Sequence, residues 1–122
     1  MAVLKPFKGL RPPKNIVQNV SCLPYDVMNS EEAAVMAQGK KESLLYVTRA
    51  EIDCPAGTDI HSEIVYNKAV ENLNKMQDNQ WLVMDEQNKF YIYAQTMDGR
   101  TQYGIVGCAS SEDYFNEIIK KT

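Results

Sequence analysis

Residues 89–108 restrict the possible folds more than any other part of the chain, because they predict a β-hairpin. Two runs of apolar and β-favouring residues, "KFYIYAQTM" and "RTQYGIVGC", flank Asp98-Gly99. Both of these residues tolerate a positive φ, which is typical of a two-residue hairpin turn. Such a turn fixes the register, so we expect Met97 to face Arg100 and Tyr91 to face Val106.

Both faces of this hairpin are expected to be apolar. Because side chains alternate along a strand, one face carries Phe90, Ile92, Ala94, Tyr103 and Ile105. The other face carries Tyr91, Tyr93 and Val106. We expect both faces to be covered within the domain, or one of them to meet a partner or another domain. Tyr91 and Tyr93 are therefore candidate residues of an interaction face.

Two segments in the first two thirds of the chain predict helices. Asn29 suits an N-cap and places Glu32 at the third helical position, a variant of the capping box. This helix should stop at Gly39, which favours the left-handed C-terminal position. The longest helix should open at Asp59 or Ser62, because four apolar residues then share one face: Val65, Ala69, Leu73 and Met76.

A third helix is predicted near the end of the sequence. Ser110-Ser111-Glu112-Asp113 forms the Ser-x-x-acid pattern of a helix start. Phe115, Ile118 and Ile119 should share the apolar face of this helix. Lys120-Lys121 would suit the negative end of its dipole.

Two other segments are expected to be strands. "SLLYVTRA", residues 43–50, is rich in apolar and β-favouring residues and predicts a buried strand. "VLKPFKGL", residues 3–10, is a candidate edge strand, because Pro6 removes a backbone donor. The resulting fold class is α+β, in one domain of residues 1–122. It consists of an antiparallel sheet with the Asp-Gly hairpin, packed against about three helices.

The charge balance and the absence of long apolar runs exclude several classes of protein. The net charge is −3, from 13 basic and 16 acidic residues, which argues against a nucleic-acid binder. No apolar run approaches the roughly 18 residues of a membrane span, and the first residues lack the apolar core of an export signal. We therefore expect a cytoplasmic protein.

The sequence contains no metal-binding pattern. Cys22, Cys54 and Cys108 are widely spaced, and we expect them to be reduced thiols. The single histidine, His61, lies seven residues after Cys54, whereas a metal site needs paired ligands at short spacing. His61 is expected to be a surface or boundary residue near a helix start. No Gly-rich phosphate loop or Gly-x-Ser-x-Gly motif is present, and no cofactor is evident.

"PYDV" is the strongest candidate for a ligand site. Pro24 fixes its own φ and favours an extended Leu23, so Tyr25 and Asp26 belong to a rigid turn. Asp26 either closes this turn or acts as a fixed carboxylate for a hydroxyl, an amine or a metal-bound phosphate. Arg11 is its candidate companion, because a planar guanidinium suits phosphates and carboxylates.

Five segments, in the same order and spacing, resemble the bacterial and archaeal family known as domain of unknown function 1015. They are "PFKGLRP", "PYDVMNSEEA", "SLLYVTRAEID", "FYIYAQTMDGRTQYGIVG" and "SSEDYFNEIIKK". The family has a strand ending in Arg-x-Glu at the third of these segments and a Tyr-x-Tyr hairpin at the fourth. The resemblance implies an N-terminal portion of a longer protein, whose continuation carries an Asp-Gly-His-His-Arg stretch similar to the ParB and sulfiredoxin-like fold.

The resemblance leaves three functions open. The first is a module of a phosphoryl-transfer or serine-metabolism enzyme that binds a nucleotide in its full-length form. Such a module would contribute Arg11, Tyr25 and Asp26 and would be catalytically incomplete by itself. The second is a non-catalytic interaction module whose Tyr91 and Tyr93 face meets the remainder of a longer protein or a second copy. The third is a small-molecule sensor.

Overall fold

The computed structural model describes residues 1–120 and divides the chain into two compact units. One unit is Arg11–Val83, here called the helical unit, and the other combines Met1–Leu10 with Met84–Thr122, here called the hairpin unit. The helices are α1 (Val17–Val20), α2 (Ser30–Ala37), α3 (Leu45–Thr48), α4 (Glu63–Asp78) and α5 (Ser111–Phe115). The strands are β1 (Leu4–Lys5), β2 (Leu10–Arg11), β3 (Val83–Met84), β4 (Tyr91–Met97), β5 (Arg100–Val106) and β6 (Cys108–Ala109).

Helix α2 begins as its capping box predicts. The Asn29 side chain accepts a hydrogen bond of 2.8 Å from the Glu32 backbone amide, and the Glu32 carboxylate accepts one of 3.0 Å from the Asn29 amide. Gly39 has a φ of +76°, as expected just after the helix. The buried side of α2 supplies Ala33 and Ala37 to a core that also contains Met28 and Leu45.

The predicted strand at residues 43–50 is wrong, because this segment is helical. Leu45–Thr48 forms α3, and after Arg49 the segment Ala50–Asp53 forms a 3-10 turn. The backbone amides of Thr48 and Arg49 donate to the carbonyls of Leu44 and Leu45, so no neighbouring strand is needed. A short apolar run fits either structure, and here the helical turn buries Leu45 and Ala50 in the core.

Helix α4 is the predicted longest helix. Its N-cap is Ser62, although the Ser62 side chain makes no capping hydrogen bond. Val65 and Met76 of the predicted face are buried, and Ala69 and Leu73 are half-buried. Asn72, which the apolar pattern does not include, is also buried.

The hairpin has the predicted register. Met97 pairs with Arg100, Ile92 with Ile105 and Tyr91 with Val106. Asp98 and Gly99 have φ values of +51° and +75°, as the turn requires. In the same unit β1 pairs with β6, and Phe7 forms a bridge with Lys89, so the predicted edge strand exists in shortened form. Antiparallel strands and separate helices confirm the α+β class.

The hairpin faces are largely exposed rather than covered. Ile92 is 77 % exposed and Ile105 is 73 % exposed, although we expected apolar coverage of both faces. The prediction that other parts of the domain cover both faces is thus wrong for Ile92 and Ile105 within the described residues. That a partner or another domain covers one face stays a prediction.

The final helix is shorter than predicted. Ser110 caps α5 through a hydrogen bond from the Glu112 amide, but the helix ends at Phe115. Glu117 adopts a left-handed φ of +58°, and the amides of Ile118 and Ile119 bond to the Asp113 carbonyl. Ile118 and Ile119 therefore lie beyond the helix, and the predicted role of Lys121 lies outside the described residues. No helix within residues 1–120 has both the length and the apolar character needed to cross a bilayer.

Candidate ligand-binding site

A pocket of about 420 Å³ lies within the helical unit and brings together polar residues from three segments. The 3-10 turn Tyr25–Val27 contributes Tyr25 and Asp26, the end of α3 and the turn after it contribute Arg49 and Glu51, and the start of α4 contributes Tyr66. The remaining lining residues are Val47, Thr48, Ala50, Ile60, His61, Val65 and Ala69. Its volume lies within the range of about 300–1,000 Å³ that is common for small-molecule sites.

The turn that carries Tyr25 and Asp26 forms as the proline predicts. Pro24 has a φ of −55° and a ψ of 146°, and its carbonyl accepts a hydrogen bond of 3.3 Å from the Val27 amide. The proline thus enters the turn in an extended conformation and restricts its backbone. Tyr25 and Asp26 are both exposed, so their side chains are accessible to a ligand.

An arginine and a glutamate join this turn to the rest of the pocket. Arg49 Nη1 donates a hydrogen bond of 3.1 Å to Glu51 Oε1, and Arg49 Nη2 donates to the Met28 carbonyl. The Ser30 hydroxyl donates to the same Glu51 oxygen at 2.9 Å. The Arg49 and Glu51 side chains are only 17 % and 8 % exposed. Because Met28 and Ser30 lie within three residues of the end of the Tyr25–Val27 turn, this buried network holds the turn beside Glu51.

The pocket leaves one carboxylate available. Within the described residues, Asp26 forms no hydrogen bond or ion pair, whereas Glu51 is bound by Arg49 and Ser30. Arg49 Nε is buried and has no hydrogen-bond partner in the same part of the chain. The charges of Arg49 and Glu51 cancel. The Asp26 carboxylate therefore gives the lining a formal charge of −1, with His61 counted as neutral.

The structure brings together two of the three predicted ligand residues. Tyr25 and Asp26 line the pocket, whereas Arg11 lies in β2 and is not among the lining residues. His61 lines the pocket as an exposed residue near the start of α4, where the sequence analysis predicted a surface or boundary residue. Arg49 was also missed, although the Arg-x-Glu spacing was the signal that could have identified it. Residues 1–120 contain no cluster of three potential metal ligands.

The two predicted interaction tyrosines differ in their surroundings within the hairpin unit. Tyr91 is half-buried, and its hydroxyl donates a 2.5 Å hydrogen bond to Asp85 and accepts one of 2.6 Å from the Gly9 amide. The Tyr91 ring also lies 5.1 Å from that of Phe7, centroid to centroid. Tyr93 is 61 % exposed. Tyr91 thus connects β4 with two other segments of its own unit, around residues 7–9 and at Asp85, and Tyr93 is the more accessible of the two tyrosines.

A scan against protein-family models matched residues 4–122 to "Protein of unknown function (DUF1015)". Searches of curated proteins and of solved structures found no match. The matched range includes all five segments on which the resemblance was based, and it covers both units of the structure.

Proposed function

We infer that this chain, which belongs to the domain of unknown function 1015 family, binds a small ligand that carries an ammonium group. The observation that carries this proposal is the shared pocket of Tyr25, Asp26 and Tyr66, in which the Asp26 carboxylate has no partner within the described residues. The chain would act as a binding module, alone or as part of a longer protein.

The chemistry of the lining favours a cation over an anion. An ammonium group can pair with Asp26 and at the same time lie against the electron-rich faces of Tyr25 and Tyr66. The apolar side chains of Ile60 and Val65 would contact the carbon skeleton of the ligand. The pocket is therefore suited to a small amine with a short apolar or hydroxylated body.

Phosphoryl transfer, which the family resemblance implies, has less support from this geometry. Phosphoryl-transfer sites need cationic groups or magnesium around the transferred phosphate. Arg49 is the one arginine or lysine of the pocket lining, and both of its Nη groups bond to protein atoms. A nucleotide site would thus require cations that this pocket does not supply. A link to serine chemistry stays a prediction. It is compatible with this pocket, because serine carries the ammonium group that the pocket favours.

Calorimetric titration and thermal-shift measurements test the proposal with four probes. Choline and serine carry the ammonium group, N-acetylserine lacks it, and ATP with magnesium tests for phosphate binding. We expect choline, serine or both to bind and to raise the melting temperature, because a ligand that binds only the folded state stabilises it. N-acetylserine and ATP should give no saturable signal. Binding of ATP with magnesium in the absence of any amine binding would overturn the proposal.

Asp26→Asn provides the matched variant. The substitution preserves the side-chain shape and removes the charge, so it should weaken amine binding about tenfold, the effect of losing one charge-assisted hydrogen bond. The melting temperature of the unliganded protein should stay the same, since Asp26 is exposed and unpaired in the described part of the chain. Glu31→Gln removes an exposed carboxylate outside the pocket and should bind like the wild type. Equal affinity in the wild type and Asp26→Asn would also contradict the proposal.

The exposed hairpin supports a second candidate function, self-association. Ile92 and Ile105 face each other across β4 and β5, and Tyr103 on the same face is 75 % exposed. No charged residue of β4 or β5 lies on this face, so two copies could pack together through these strands without burying a charge. Three to four large side chains offer on the order of 400–500 Å². This is less than the roughly 800 Å² per partner of a stable interface, so the expected dimer is weak.

Sedimentation analysis over a range of concentrations tests this candidate. We expect the wild type to form a reversible dimer at high concentration. Ile92→Lys should abolish this dimer, because the dimer interface would bury the charge of the lysine. Gln95→Lys is the control, since Gln95 lies on the opposite face of the same strand. A monomer at every concentration, or equal association of both variants, would contradict the self-association.

A further inference from the structure

A second pocket in the helical unit differs from the Asp26 pocket in its residues and in its chemistry. It has a volume of about 200 Å³ and is lined by Lys41, Tyr46, Asp53, Asn72, Lys75, Met76 and Trp81. None of these residues lines the Asp26 pocket. Its formal charge is +1, from two lysines and one aspartate. We propose that this pocket, here called the Trp81 pocket, binds a single-ring aromatic carboxylate, which goes beyond the proposed amine site.

The two lysines supply the positive charge for the carboxylate. Neither Lys41 nor Lys75 forms a salt bridge within the described residues, in contrast to Lys68 of the same helix, which pairs with Glu71 at 3.2 Å. Lys41 Nζ lies 5.9 Å from the centroid of the Trp81 ring. An ammonium group at this distance is attracted to the indole and is thereby held near the pocket. A ligand carboxylate between the two lysines would neutralise charge that the protein leaves unpaired.

The aromatic and sulfur-containing part of the lining suits a flat ring. The Trp81 and Tyr46 rings and the Met76 thioether all contribute to the pocket, and sulfur and aromatic groups make favourable contacts with aromatic ligands. An apolar cavity of about 150 Å³ is known to hold benzene. The volume of about 200 Å³ therefore accommodates one six-membered ring with a carboxylate, but not a nucleotide or a fused ring system with phosphates.

The buried side-chain amide of Asn72 orients the hydrogen-bond acceptors of the pocket. Asn72 is only 6 % exposed, and its Nδ2 donates to the Tyr46 carbonyl at 2.8 Å and to Asp53 Oδ2 at 3.1 Å. This pair of bonds orients Asp53 and leaves Asn72 Oδ1 without a donor in the described part of the chain. A hydroxyl group on the ligand ring can donate to Asp53 or to Asn72 Oδ1. The preferred ligand is thus a hydroxylated aromatic carboxylate.

Trp81 fluorescence measures this binding directly, because Trp81 is the single tryptophan of the chain. The probe is 4-hydroxybenzoate, titrated into the whole chain with excitation at the red edge of the absorption band, where tyrosine contributes little. Calorimetry under the same conditions gives an independent affinity. We expect saturable quenching that weakens with added salt, because the lysine ammonium groups are exposed to screening. The neutral analogue 4-hydroxybenzamide should bind at least fivefold more weakly.

Two lysine variants and a matched control locate the site. Lys75→Gln and Lys41→Gln should each weaken 4-hydroxybenzoate binding about fivefold, the effect of about 1 kcal/mol expected for an exposed ion pair. Lys68→Gln, on the same helix but outside the pocket, should bind like the wild type. Asp26→Asn should also bind this probe like the wild type, which separates the Trp81 pocket from the amine site. The absence of saturable quenching, equal binding of the neutral amide, or unchanged affinity in both pocket variants would overturn the proposal.

Discussion

Replacing Arg49 by methionine is expected to destabilise the helical unit strongly. The substitution removes the hydrogen bonds from Arg49 to Glu51 and to the Met28 carbonyl. It leaves Glu51, whose side chain is 8 % exposed, with the Ser30 hydroxyl as its remaining partner among the described residues. Removing one partner of a buried ion pair typically costs about 3–5 kcal/mol. Since Arg49 itself is 17 % exposed, we expect about 3 kcal/mol, at the lower end of this range.

Urea-induced unfolding followed by Trp81 fluorescence measures this loss, because Trp81 belongs to the same unit as Arg49. The double variant Arg49→Met/Glu51→Leu should recover about 2 kcal/mol, since a buried pair can often be replaced by apolar residues at little cost. Lys68→Met breaks the exposed pair with Glu71 and should leave the free energy of unfolding unchanged. Two results would refute a buried network that holds the Tyr25–Val27 turn. One is a loss of unfolding free energy below about 1 kcal/mol for Arg49→Met, and the other is no recovery of that free energy in the double variant.

Three more predictions concern the core, the hairpin unit and a thiol. Leu45→Ala should lower the free energy of unfolding by about 3 kcal/mol, because Leu45 is only 1 % exposed. Val35→Ala, on the exposed side of α2, is the control and should change this free energy little. Equal effects of the two substitutions would contradict the assigned core. Gly9→Ala should reduce hydrogen-exchange protection in β4, because a Cβ at Gly9 would lie 2.6 Å from the Tyr91 hydroxyl. Gly104→Ala should leave this protection unchanged, because a Cβ at Gly104 would lie 4.0 Å from its nearest neighbouring atom. Partial burial raises the pKa of the Cys22 thiol, against an opposing effect of a Thr48 hydrogen bond, so less thiolate is present at pH 8. Cys22 should therefore react with iodoacetamide more slowly in the folded protein than in urea, as timed mass spectrometry would show, and equal rates would refute this reasoning.

The hairpin and the capped helices were predictable because local chemistry determines them. The Asp98-Gly99 turn set the register of the hairpin, and the Asn29 and Glu32 side chains marked the start of α2. Each of these features depends on residues within a few positions of one another, so the pattern is visible in the sequence. The family resemblance was likewise visible, since it rests on five ordered segments.

The segment around Arg49 was not predictable from local pattern alone. Residues 43–50 contain enough β-favouring residues to suggest a strand, and only the burial of Leu45 and Ala50 against the rest of the unit explains the helix. As a consequence Arg49 was assigned to a strand end, and its bonds to Met28 and Glu51 were missed. The pocket needs contacts between residues more than 20 positions apart, which neither spacing nor periodicity reveals. The turn that carries Tyr25 and Asp26 was predictable because Pro24 restricts it locally, and their role in ligand binding stays a prediction.

The central claim is that Tyr25, Asp26 and Tyr66 form one binding site for an ammonium group. Titration of the isotopically labelled chain with choline or serine, followed by amide resonances in two-dimensional NMR spectra, tests this claim most directly. We predict saturable shifts within the segments 25–26, 47–51 and 60–69, which supply the pocket lining, and none of comparable size at Lys75 or Trp81. Saturable shifts confined to other parts of the chain, or no shift with either amine, would contradict the account.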